Sequence, residues 1–117
     1  MGRWAQARKR GTVKAAVSEF ALSPPTPGSD FQVVSSSDLF LFEGLVECPV
    51  PADGMLVQIA PDPSGPWSTF ESVDCGGISG GTGCIEDVTS YFRSAWSLGG
   101  VQISDWSTPP LPATCSA

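Results

Sequence analysis

Proline and glycine interrupt this chain so often that they point away from long helices and towards short strands joined by turns. The 13 Gly and 11 Pro fall mostly in clusters: "SPPTPG" at 23–28, "CPVPADG" at 48–54, "PDPSGP" at 61–66, "GGISGGTG" at 76–83, "GG" at 99–100 and "TPPLP" at 108–112. Proline fixes φ and removes a backbone donor, and glycine is costly inside a helix or strand, so each cluster ends the element before it. The stretches between them are short and apolar. They predict strands at 31–36 ("FQVVSS"), within 38–50 ("DLFLFEGLVECPV"), at 55–60 ("MLVQIA") and at 67–75 ("WSTFESVDC"). The run 84–98, "CIEDVTSYFRSAWSL", is too long for one strand and divides at Asp87 into a short strand, a corner and a longer strand. Gly99-Gly100 then closes a hairpin into 101–107, "VQISDWS", and 108–117 reads as proline-rich coil. About seven short strands in one domain predict an all-β antiparallel sandwich.

Charge divides the chain in another way. Arg3, Arg8, Lys9, Arg10 and Lys14 all lie in the first 14 residues, and Arg93 is the only other cation. Residues 15–117 hold all 12 carboxylates, a formal −11 against +5 for the first 14. The expected organisation is a basic, proline-rich N-terminal arm and linker at 1–30, then a β-sandwich domain at 31–117 ending in a proline-rich tail. Arg3, Trp4, Arg8, Lys9, Arg10 and Lys14 form the candidate anchor. Such an arm can neutralise phosphates, or it can fold onto an acidic protein surface. The second reading ranks first: neighbouring protein subunits of a large assembly are the expected partners, with self-association and nucleic-acid contact behind. The arm lacks the clean amphipathic face that membrane binding needs. No apolar run approaches the roughly 18 residues of a membrane span. The charged start has no apolar stretch after it, so no secretory signal is expected. Gln6 stands where a myristoylation signal has Ser or Thr.

The four cysteines are Cys48, Cys75, Cys84 and Cys115. None forms a CxxC pair, so zinc-ribbon and thioredoxin-type readings have no support. They are either small buried hydrophobes or disulfides. A Cys75–Cys84 bridge would close the glycine loop, and a Cys48–Cys115 bridge would pin the tail. Four cysteines allow three pairings, and the sequence does not choose among them.

Residues 87–108, "DVTSYFRSAWSLGGVQISDWST", resemble the last two strands of a fibronectin type III domain. Tyr91, Phe92, Arg93 and Ala95 match the penultimate strand, Gly99-Gly100 the hairpin, and Ser104, Trp106 and Ser107 the final strand. Upstream, "PADGMLVQIAPDPSGPW" is similar to the family's third strand and turn, with Val57 and Ile59 inward and Trp67 after the turn. The resemblance spans about 38–108 and implies an immunoglobulin-like sandwich. Phe40 and Phe42 stand where the family carries a core Trp in its second strand. It further implies that Trp67, Tyr91, Trp96 and Trp106 define the fold. Tyr91 would be a tyrosine corner, its hydroxyl bonded to backbone near Glu86 to Val88, with Phe92 turned to solvent. The opening "MGRWAQARKRG" also resembles small structural proteins of tailed bacteriophages, which join a basic or proline-rich arm to a compact β-domain.

Catalytic chemistry finds little footing. Histidine is absent, removing the commonest general base and metal ligand. Asparagine is absent too, so no N-glycosylation site exists. The two lysines that could activate a serine, Lys9 and Lys14, lie in the arm. Glu86 and Asp87 are adjacent and face opposite ways on a strand, and Glu71 and Asp74 do not share a face either. "GGISGGTG" ends in Gly83-Cys84 where a phosphate loop needs Lys and Ser or Thr, and "DPSGPW" lacks successive calcium ligands. Arg93 is expected to pair with a carboxylate. Trp67, Trp96 and Trp106 are either core residues or a carbohydrate-stacking surface. The expected function is therefore that of a non-enzymatic structural protein of a bacteriophage virion, without cofactor or metal. It would serve as capsid decoration, minor capsid or neck-associated protein, anchored to neighbours by its arm. The alternative is a binding module that recognises a receptor or cell-surface glycan through loops and tryptophans.

Overall fold

The computed structural model describes residues 20–78 and 81–115, and every regular element among them is a β-strand. The strands are β1 (Phe31–Ser35), β2 (Leu39–Gly44), β3 (Gly54–Ala60), β4 (Ser68–Asp74), β5 (Thr82–Gly83), β6 (Thr89–Leu98), β7 (Val101–Gln102) and β8 (Leu111–Thr114). They form two antiparallel sheets, a smaller one ordered β1-β2-β5 and a larger one ordered β4-β3-β6-β7, with β8 also paired to β6. The arrangement is compatible with a β-sandwich. β7 lies opposite Ser97–Leu98 and β8 opposite Thr89–Phe92. They are two pieces of one interrupted edge.

Side-chain alternation sets the core. Along β2, Phe40 and Phe42 are buried while Leu39, Leu41 and Glu43 point the other way. From the large sheet come Met55, Val57, Val73, Phe92 and Trp96, and Phe31 and Cys115 complete the buried cluster. Phe92 joins the layers: its ring meets Phe40 of the small sheet edge-on at 5.3 Å and Phe70 of β4 at 5.7 Å. Phe70 is the residue skipped where the β3–β4 register shifts between Val57 and Gln58. That bulge lets Phe70 reach inward.

Several expectations need correction. The segment 108–117 is not all coil, because Leu111–Thr114 pairs with β6; Pro112 is tolerated there because the strand lies at an edge. Residues 84–86 make no strand beyond a single Glu86–Cys115 bridge, and Asp87 adopts φ 69° in the turn before β6. Residues 22–30, read as a linker, lie against the body. Leu22 bridges Ser104, Pro25 is fully buried, and a turn from Thr26 to Asp30 is held by the Asp30 N–H on the Thr26 carbonyl at 2.8 Å. The disulfides are Cys48–Cys75 and Cys84–Cys115, with Cα separations of 5.4 and 6.1 Å. The expected bridge across the glycine loop fails for a topological reason. Cys75 follows β4 in the large sheet and Cys84 follows β5 in the small one, so the loop carries the chain between sheets.

The register of β6 is also one residue away from the tyrosine-corner expectation. Phe92, Ser94 and Trp96 face the core, whereas Tyr91 is only half-buried. No hydrogen bond of the Tyr91 hydroxyl is found among the described residues.

Candidate functional site

The most elaborate surface lies on the outer face of the large sheet. Pairing of β3 with β6 sets Gln58 directly opposite Arg93. Arg93 Nε and Nη2 donate to Gln58 Oε1 at 2.8 and 2.6 Å. The guanidinium carbon sits 4.3 Å from the centre of the Trp67 ring and 4.6 Å from that of Trp106. Two indoles and an amide therefore stand where a carboxylate was expected; among the described residues Arg93 makes no ion pair. Partial burial lowers the Arg93 pKa from its ordinary value, but an arginine keeps its charge throughout the physiological range.

Trp106 reaches this position because the chain leaves the sheet edge between β7 and β8. Two serines keep the β6 backbone satisfied there. Trp96 N–H donates to Ser104 Oγ at 2.8 Å, and Ser94 N–H donates to Ser107 Oγ at 2.9 Å. The backbone N–H groups of Ile103 and Ser107 donate back to the carbonyls of Trp96 and Ser94. Both serines are buried. The hydroxyls do the work of ladder bonds and free Asp105-Trp106 to turn outward.

A second feature is an open cleft of about 580 Å³ between residues 22–30 and 46–49, lined by Leu22, Pro24, Val46 and Trp96 together with the carboxyl-bearing Asp30 and Glu47. Both walls are fixed. One is the Thr26–Asp30 turn, in which Thr26 N–H donates to Asp30 Oδ2 at 2.7 Å. The other is tied by Leu45 N–H to the Asp30 carbonyl and by the Cys48–Cys75 disulfide.

The sequence-predicted residues are thus dispersed. Arg3, Trp4, Arg8, Lys9, Arg10 and Lys14 lie outside the described residues. Trp67 and Trp106 come together around Arg93. Trp96 is in the core and cannot share a stacking surface with them. Glu86 and Asp87 are exposed in the turn before β6, and Glu71 and Asp74 are exposed on β4. Among the described residues no group of three Cys, Asp or Glu side chains is placed to hold a metal ion, and no helix is long and apolar enough to cross a membrane. The cleft was missed by sequence reasoning, since its walls are separated by residues 31–45 and meet only through the fold. Compared with protein-family models, curated proteins and solved structures, the chain has no match.

Proposed function

We propose that this protein is a non-enzymatic structural component of a tailed-bacteriophage particle. Its immunoglobulin-like body would decorate the capsid or neck, held on neighbouring subunits by the basic arm. One observation carries the reading: the only cation of the body, Arg93, is engaged by Trp67, Trp106 and Gln58. The body therefore offers neighbours no unengaged positive charge, and cationic attachment falls to Arg3, Arg8, Lys9, Arg10 and Lys14. The strand order, with the chain passing between two antiparallel sheets, supports an immunoglobulin-like arrangement. The two disulfides suit a protein that ends in an oxidising setting, such as a particle outside the cell. Glycan recognition through tryptophans is the weaker alternative, because Trp96 is buried and Arg93 already covers one face of each remaining indole.

The test is incorporation. Replacing Arg8, Lys9 and Arg10 with Ala should release the protein from particles, and rising salt should release the unmodified protein, since exposed charges are screened beyond about 8 Å at physiological ionic strength. Release by nuclease instead would identify nucleic acid as the arm's partner. Incorporation that is unchanged at every ionic strength would remove the cations from the account.

A further inference from the structure

We infer that the cleft between residues 22–30 and 46–49 receives the basic arm of a second copy of this chain. The inference rests on the anchoring role just proposed and names its partner. Three observations lead to it. The cleft is preformed, one wall held by the Thr26–Asp30 turn and the other by the Cys48–Cys75 disulfide, so little ordering opposes an incoming peptide. Its chemistry complements the arm. Leu22, Pro24, Val46 and an edge of Trp96 offer apolar surface, while Asp30 and Glu47 supply negative charge. Asp30 spends one oxygen on Thr26, and the exposed Glu47 carboxylate has no partner among the described residues. The arm provides the counterparts: five cations interleaved with Trp4, Val13 and Val17.

Chain order favours a second copy over the same one. Leu22 and Pro24 form part of the cleft, and the nearest arm cation is Lys14. An arm docking within its own chain would have to turn back within the few residues between its cations and Leu22, at Gly11 or at the bend of Phe20 and Ala21, and would bring Glu19 towards Asp30 and Glu47. The arm of another copy meets no such constraint.

The full-length protein supplies the test. Equal amounts of unlabelled and ¹⁵N-labelled chain are mixed and coupled with a zero-length carbodiimide. Mass spectrometry should find Lys9 or Lys14 joined to Glu47 or Asp30 across light and heavy chains. In sedimentation, self-association should weaken about tenfold in Glu47→Lys. It should return when that variant is mixed with one carrying Arg8→Glu, Lys9→Glu and Arg10→Glu. Couplings confined to one chain, no coupling of arm to cleft, or association indifferent to Glu47→Lys would each overturn the inference. A chain that does not self-associate, yet loses particle incorporation in the Arg8, Lys9 and Arg10 variant, would sink this inference and leave the anchoring role standing.

Discussion

On the outer face of the large sheet, Arg93 lies between Trp67 and Trp106; on that of the small sheet, Val34 and Leu39 stand exposed, with Ile78 beside them in the bridge to Glu43. The two faces belong to one core, yet among the described residues only the large sheet's face carries aromatic cover of this kind. The difference lies in the edges. The edge of the large sheet is interrupted between Gln102 and Leu111, and Ser104 and Ser107 bond the β6 backbone while Trp106 turns outward. The small sheet ends in β5, which is only two residues long.

Several measurements would break or sharpen this contrast. The largest effect is expected inside both faces. Phe92→Ala removes the ring that joins the sheets and should cost about 3–5 kcal/mol by denaturant unfolding, a large part of a typical total of about 5–15 kcal/mol. Tyr91→Phe, one residue away on the outer side, should cost less than about 0.5 kcal/mol. Reversal of that order would restore the tyrosine-corner register. Removing the Cys48–Cys75 bridge by paired alanines should cost about 3 kcal/mol, because it opens a loop with a sequence separation of 27. A fall in thermal midpoint no larger than that of a surface variant would mean that the loops hold themselves.

Ser104→Ala comes next. It strands the Trp96 N–H in a buried position and should cost about 1–3 kcal/mol. A smaller loss in urea unfolding would show that the interrupted edge does not depend on the hydroxyl. The smallest effects compare the outer faces directly. Trp106→Ala uncovers one side of Arg93 and should cost about 1–2 kcal/mol, against about 0.5 kcal/mol or less for Leu39→Ser on the small sheet. Equal values would mean that the indole stack adds nothing to stability.

Much of the strand plan was legible. Segments bounded by Pro and Gly clusters became β1 to β4 and β6, and Gly99-Gly100, both at positive φ, closes the β6–β7 hairpin as two-residue turns of this kind require. Gly54 shows why some positions tolerate no side chain: a Cβ there would come within 2.7 Å of the Val73 carbonyl oxygen on the paired strand. β8 was hidden by its own prolines, which an edge strand accepts. The β6 register was readable by counting back in twos from the buried Trp96 to Phe92, but two adjacent aromatics give either register a plausible core residue. The Arg93 stack left only partial traces. Its residues were visible one by one, while their meeting depends on the Gln58–Arg93 pairing and on the loops that carry Trp67 into β4 and Trp106 between β7 and β8.

The sequence by itself determined that this chain would be short strands between turns, with all its cations but Arg93 at one end and its cysteines apart from any metal-binding spacing. Those properties follow from local backbone chemistry and composition, which operate within a few residues. The tertiary structure decided which cysteines meet, which aromatic ring enters the core, and that Asp30 and Glu47 flank one cleft. Each depends on which strands become neighbours and in which register. A one-residue slip exchanges the two faces of a strand, and nothing within that strand's own sequence forbids it.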